Sequence, residues 1–526
     1  MVIIKHIIFF FFFGWSINSA EAQQKALKSI TTDDLHRHLS FIASDSLQGR
    51  GTGAPASGLE KAADYIAKNA GKTGLKPPKD NYFQQFGIIR SKPVQENTFL
   101  SVTNRNGAVI FTTDSLISIN RSQPEQKING SLIFAGFGWH NKTSGYDDFC
   151  NINLHEKVVL FSVGKPETYN ENPRWSTHIE NKKIKRAAEK GAKAIILVTS
   201  PLDKGNETWN RIKRWMQRNS FVLESGAAFE QIPVILIPPG VADALSGDRL
   251  NYGQYLSSIA RKMKPNTFPV ENLEVAGNAE RTTDSLQAKN VIGIIEGSHP
   301  QLKDECVVLM AHYDHLGTND KGQVYNGADD NGSGTVTLLE VAEAFAELPE
   351  RPKRSIVFLW VSAEEVGLLG SDYYTQHPVF PLEKTISAIN LDMVGRVYEP
   401  RDSVWKNSAK LVKDRNGVYT LVSSFFPPLE SVTDSLCAEL ELVPDKSLPE
   451  RFFHSSDHHH FHSKGVPILN MATGYHADYH KVSDVVSRIN FRKMQRVAQL
   501  TFLIGYELGN RQFTKSLPLN KTETDE

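Results

Sequence analysis

Five residues able to ligate metal ions, His312, Asp330, Glu365, Asp392 and His480, follow one another through the second half of the chain, at or just past strand-like apolar runs. The runs are Glu305–Ala311, Ser355–Val361, Thr385–Leu391 and Val466–Met471, with helix-like stretches between them. In open α/β sheets, ligands bind outside the carboxyl ends of parallel strands, so residues distant in sequence converge there. Three acids and two imidazoles so placed form a donor set for a pair of divalent cations. Two cations about 3.5–4 Å apart can activate a water molecule and stabilise the oxyanion of amide hydrolysis.

Cations that close together require a bridging anion. Asp330, in the stretch Gly327-Ala328-Asp329-Asp330-Asn331-Gly332-Ser333-Gly334, is the candidate, because a tight glycine-rich turn at a helix start can present one carboxylate to both ions. Its neighbour Asp329 is not the expected bridge. His312 and Asp392 then complete one ion and Glu365 and His480 the other, which leaves the open coordination typical of catalytic zinc. Glu364 points differently from its neighbour and is the expected general base, taking the water's proton and delivering it to the leaving nitrogen. Asp314 and Asp484 are expected to orient the imidazoles by accepting their second N–H. The tract Asp457-His458-His459-His460-Phe461-His462 looks more metal-like than any other stretch. It lacks a carboxylate at fixed spacing, so it is read as a loop or secondary contact, with His458 lining the site.

The elements that must carry these residues follow from hydrophobic periodicity. From about residue 289 strand and helix alternate, the signature of a mostly parallel sheet covered on both faces. In the helix after Ser333, Leu338, Val341, Ala342 and Phe345 follow the helical repeat and form its core face. Residues 33–70 are helix-forming, interrupted by the loop Gly49-Arg50-Gly51-Thr52-Gly53. From about 97 to 277 the pattern shifts to short β-rich runs, including Lys157–Val163, Ala192–Thr199 and Ile232–Ile237, and is read as an inserted domain. Residues 397–455 read mostly as surface elaboration with a helix near Leu429–Leu442, and they contribute pocket residues. Asn490–Leu508 reads as a closing helix. The expected fold is thus α/β, a mixed and mostly parallel sheet sandwiched by helices, built from residues 23–96 and 278–526, with residues 97–277 inserted.

Composition bounds the partners. In 526 residues, Lys plus Arg and Asp plus Glu balance at 59 each, so no global field favours nucleic acid or an anionic membrane. Lys5, the apolar stretch Ile7–Trp15 and Ala20-Glu21-Ala22 fit a secretory signal over residues 1–22, with an exported, periplasmic or extracellular, chain beginning at Gln23. No stable membrane span is expected after cleavage, since that apolar core is shorter than the ~18 residues a span needs. Cys150, Cys306 and Cys437 form no disulfide scaffold; a single bridge between Cys150 and Cys437 is left open.

In its motifs the chain resembles the dizinc aminopeptidases, a family that includes secreted bacterial leucyl aminopeptidases, aminopeptidase Y and glutamate carboxypeptidase. The matching stretches are Ala311-His312-Tyr313-Asp314, Gly327–Gly334, Ser362–Ser371, Asn390–Gly395 and Asp478–Asp484. The resemblance implies two zinc ions on His312, Asp330, Glu365, Asp392 and His480, for which cobalt or manganese can substitute, with Glu364 as base and a peptide as substrate. The insertion resembles a protease-associated domain through Phe134–Gly138 and Glu189–Val198, which implies a lid or substrate-access role. The extra histidines after Asp457 and the Lys481 that follows the last ligand depart from the family pattern. The leading expectation is an exported aminopeptidase. Carboxypeptidase or one-metal glutaminyl cyclase activity on the same fold is the alternative within enzymes, and a catalytically inactive binding protein the alternative outside them.

Overall fold

In this computed structural model, the structure describes residues 21–54, 57–119, 123–171, 176–202, 207–216, 219–225, 232–246, 250–404 and 410–512. The apolar signal stretch lies outside them. The described chain forms two compact units, one made of residues up to Phe86 and from Gln287 onward, the other of Gly87–Leu286. The division falls within two long strands, Phe83–Asn104 and Phe268–Ile295, and not at the composition changes near residues 97 and 277.

The first unit carries the strands that position the ligands. Cys306–His312 lies between Ser355–Val361 and Thr385–Leu391, parallel to both, and Ile468–Ala472 lies parallel on the far side of Thr385–Leu391. Residues 291–295 close one side antiparallel to Ser355–Val361. Every residue of the three strands 306–312, 355–361 and 385–391 is buried, which is why each reads as a continuous apolar run instead of an alternation. Side chains still alternate between faces. Val307, Leu309 and Ala311 join one core cluster with Phe358, Trp360 and the helices Thr32–Ile42, Gly334–Ala346 and Phe491–Asn510, whereas Cys306, Val308 and Met310 join another with Leu359, Tyr374 and Phe461. Strand order reverses direction between Cys306–His312 and Thr385–Leu391, and a crevice opens outside the carboxyl ends of strands at such a switch point.

Residues 397–455 are not mostly surface. Gly417–Val422 is a largely buried strand antiparallel to Ile468–Ala472, and Pro427–Glu439 packs Leu429 and Cys437 into the core. Charged flanks concealed a six-residue strand, and Pro427-Pro428 occupy the first helical turn, where missing N–H groups do no harm. All three cysteines are free thiols, so no bridge joins Cys150 to Cys437.

The second unit also contains parallel strands: Val158–Ser162 lies between Glu125–Phe134 and Ala194–Val198, and Val234–Ile237 follows beside the latter. Helices such as Thr177–Glu189 and Tyr252–Lys262 supplement these strands.

The closing helix Phe491–Asn510 begins where the Asn490 side chain accepts the backbone N–H of Lys493 at 3.0 Å. Replacing Asn490 with Ala removes that cap and is expected to lower stability by about 1 kcal/mol. Urea unfolding checks this; an unchanged midpoint would show the cap to be redundant.

Candidate metal centre

The five expected ligands converge at the carboxyl ends of the strands. His312 ends its strand with Nε2 at 3.5 Å from Asp330 Oδ1 and 3.4 Å from Asp392 Oδ1. On the other side of Asp330, His480 Nε2 stands 3.1 Å from Asp330 Oδ2 and 3.3 Å from Glu365 Oε2. One carboxylate thus faces both pairs. Asp330 Oδ2 and Asp392 Oδ1 are buried, make no hydrogen bond of good geometry, and are faced by the imidazole nitrogens of His480 and His312. Buried carboxylate oxygens without donors are costly unless a cation meets them, so the donor set fits divalent ions. His312, Asp330 and Asp392 lie close enough to share one such ion, and His315, Asp330 and Glu365 to share another, with His480 facing the same two carboxylates.

The sheet alone does not aim these side chains; the turns after it do. Ala363, Met393 and His480 adopt left-handed backbone conformations beside or at the ligand positions. Each costs on the order of 1–3 kcal/mol, and such strain persists only where the surroundings fix it. Gly327 opens the Asp330 turn at φ 54°, where a Cβ would come within 2.5 Å of the His315 ring.

Charge at the centre is unbalanced toward acids. Burial disfavours the imidazolium of His312, but Glu364, Asp314 and Asp392 outweigh it and hold its pKa well above the usual range. Burial likewise opposes charge on His480, yet Asp330 and Glu365 push its pKa up to about 10. Glu364 is raised well above the ordinary carboxylate value, chiefly by burial, with Glu365, Asp457 and Asp392 adding to it against the pull of His312. Its Oε2 lies 3.9 Å from His312 Nε2, inside the same cleft as Asp330, Glu365 and Asp392.

The supporting contacts differ from expectation in three places. Asp314 does face the Nδ1 side of His312, at 3.7 Å, and its carboxylate also accepts the backbone N–H groups of Glu364 and Glu365 at 3.1 and 3.4 Å. Asp484 meets no imidazole of the five: its Oδ2 accepts the backbone N–H groups of Asp329 and Asp330 at 3.0 and 3.2 Å, because the loop after His480 folds back over the Asp330 turn. His458 does not line the cleft. It is fully buried at the start of the helix His458–Ser463, with Nε2 on the carbonyl of Phe452 at 2.8 Å. The third difference is His315, absent from the expected set, whose Nδ1 lies 2.7 Å from Glu365 Oε1 and 3.8 Å from Asp330 Oδ2. Its place three residues after His312 was the only sequence signal.

Two buried arginines fasten the loops. Arg50 donates to the carbonyls of Tyr313, Ile42, Asn326 and Gly327 at 2.8, 2.6, 2.7 and 3.0 Å. Gly49, at φ 69°, lets that loop approach: a Cβ there would meet the Gly317 carbonyl oxygen at 2.1 Å. Arg396 binds Asp478 Oδ2 at 2.9 Å and His476 Nδ1 at 3.1 Å, pinning the loop that delivers His480, and Arg401 also pairs with Asp478. The cleft itself, about 560 Å³, is completed by Tyr419, Leu448, Phe452, Ser455 and Asn470, together with Tyr475 and Tyr479 near His480. Lys481 points elsewhere, donating to the Ala477 carbonyl at 2.6 Å.

A model of peptidase family M28 matches residues 290–504. Aminopeptidase YwaD of Bacillus subtilis strain 168 is 30% identical over 230 residues, 42% of this chain and 44% of that protein. Leucine aminopeptidase 1 of Metarhizium robertsii is 28% identical over 226 residues, 41% of this chain and 55% of that protein. The chain therefore spans about half the length of the curated relatives it matches. A solved aminopeptidase from Aneurinibacillus sp. strain AM-1 shares the fold, with a TM-score of 0.53 at 18% identity over 94% of this chain and 98% of that one.

Proposed function

We propose that the protein, whose residues 290–504 match the model of peptidase family M28, is an exported zinc aminopeptidase with two ions per chain. The observation that supports it most is Asp330, whose two oxygens face His312 and Asp392 on one side and His480 and Glu365 on the other. His312, Asp330 and Asp392 would hold one zinc, and Asp330, Glu365 and His480 the second. Zinc so held supplies Lewis acidity, polarising a peptide carbonyl and making water more acidic.

The chain's own groups do the rest. Glu364, in the cleft beside both ion positions, takes a proton on its carboxylate and returns it to the departing nitrogen. Asp314 keeps Glu364 and Glu365 in register by gripping both backbone N–H groups, and His315 steadies Glu365 through its free oxygen. Export is read from the residue 1–22 segment, and Gly87–Leu286 as a protease-associated domain from Phe134–Gly138 and Glu189–Val198.

The test uses one peptide series in four forms: free, N-acetylated, C-amidated and doubly blocked. Free and C-amidated peptides should be shortened from the amino end and both N-acetylated forms refused. A chelator should abolish the activity and zinc restore it. Cleavage from the carboxyl end would overturn the amino-end assignment, and a single tightly bound zinc with pyroglutamate product would replace it with a cyclase.

A further inference from the structure

His458 is buried and outside the cleft, yet a chain of hydrogen bonds runs from it to the cleft wall. The carbonyl of Phe452 can only accept, so His458 Nε2, 2.8 Å away, carries the proton. Burial keeps the ring neutral by lowering its pKa to about 4, which leaves Nδ1 as an acceptor. Nδ1 faces the side-chain amide of Asn390, whose Nδ2 lies 3.5 Å away. Reversing Asn390 would set its carbonyl oxygen against the Nδ1 lone pair. On this side the Asn390 amide nitrogen also donates to Ser456 Oγ and to Asn470 Oδ1, each at 3.0 Å, so Ser456 and His458 together fix its orientation. Asn390 and Asn470 are register partners on adjacent parallel strands, so the pair cannot slide apart. Asn470 lines the cleft, and with its oxygen committed to Asn390 the end left for the cleft is the Nδ2 donor.

Ser455 also lines the cleft, its hydroxyl proton committed to the Phe452 carbonyl at 2.9 Å, leaving oxygen lone pairs as acceptors. The surrounding wall of Tyr419, Leu448 and Phe452 is otherwise aromatic and aliphatic.

We infer that Asn470, oriented through Asn390 by Ser456 and His458, is a specificity-determining residue that offers a hydrogen-bond donor to a neutral acceptor at the tip of the substrate's terminal side chain, as in a carboxamide. The inference rests on the peptidase reading of this cleft. A site built to hydrogen-bond a group discriminates against analogues lacking it, because its own buried polar atom is then left unpaired.

Asparaginyl and leucyl peptides are the probe, since their side chains share one branched shape and differ in polarity. The ratio of kcat/KM for asparaginyl over leucyl substrates is measured in the wild-type protein and in Asn470→Leu, Asn470→Asp and His458→Gln, each checked for a native melting transition and zinc content. Asn470→Leu should lower the ratio by roughly tenfold or more, mostly through KM. Asn470→Asp, which keeps the shape but removes the donor, should lower it similarly, and His458→Gln, which removes one of the two groups that orient the Asn390 amide, should lower it less. A ratio unchanged in both Asn470 variants while turnover persists overturns the inference. A wild-type protein that processes neither peptide, nor any other free-amine peptide, removes the peptidase reading and this inference with it.

Discussion

Glu364→Gln lowers kcat by a factor on the order of 10²–10⁴, the usual contribution of a positioned proton-transfer group, while zinc content and KM change little. The substitution keeps the volume of the side chain and removes its ability to take a proton. Glu364 is placed for this by its backbone: the N–H donates to Asp314 at 3.1 Å, and Ala363 before it holds a left-handed turn that swings the side chain into the cleft beside His312. Glu365→Gln should behave differently, because that side chain lies 2.7 Å from His315 and 3.3 Å from His480, within the proposed ion-holding set. Zinc analysis separates the two. Retained turnover in Glu364→Gln, or equal zinc loss in both, would remove Glu364 from the proton-transfer role.

Arg50→Met destabilises the first unit by about 3–5 kcal/mol, the range seen when a buried charged donor is removed and its acceptors are left unpaired. The guanidinium is fully buried, and burial lowers its pKa to about 10, the mark of a desolvated cation retained for its contacts. Those contacts join three stretches remote in sequence: the end of the helix Thr32–Ile42, the strand exit at Tyr313, and Asn326-Gly327 at the mouth of the Asp330 turn. Arg50→Lys should recover little, since a single ammonium cannot span four carbonyls as a planar fork does. Urea unfolding followed by tryptophan fluorescence, Trp360 being in the affected core, reads the change. A loss under about 1 kcal/mol would mean that water satisfies the four carbonyls as well as Arg50 does.

Much of this arrangement is legible in the sequence because of how parallel strands are buried. Glu305–Ala311, Ser355–Val361 and Thr385–Leu391 stand out as unbroken apolar runs, and the structure finds strands at 306–312, 355–361 and 385–391. A polar residue directly after such a run must point into the crevice, so His312 and Asp392 follow from the strand ends alone. What escaped depends on how loops return. Asp484 lies four residues after His480, a spacing that suits a contact between them, but the loop turns it toward the Asp329 and Asp330 backbone. His315 is visible only once the Gly327 turn is seen packed against its ring. Gly417–Val422 was lost among charged neighbours, since its partner strand lies fifty residues downstream and nothing local announces the pairing. Arg50 stood between two glycines in plain view, but four carbonyl acceptors leave no trace in side-chain pattern.

The closing helix has a consequence in time. Its Gln495 and Gln499 side chains donate to the Ile30 and Leu27 carbonyls, joining segments 465 and 472 residues apart. At a synthesis rate of about 5–20 residues per second, the first of these segments waits on the order of half a minute or longer for its partner to be made. His480 precedes the start of that helix by eleven residues, so the last imidazole emerges shortly before the helix that seals the core. A ribosome-bound chain therefore carries an unfinished centre until His480 and this helix have both been made.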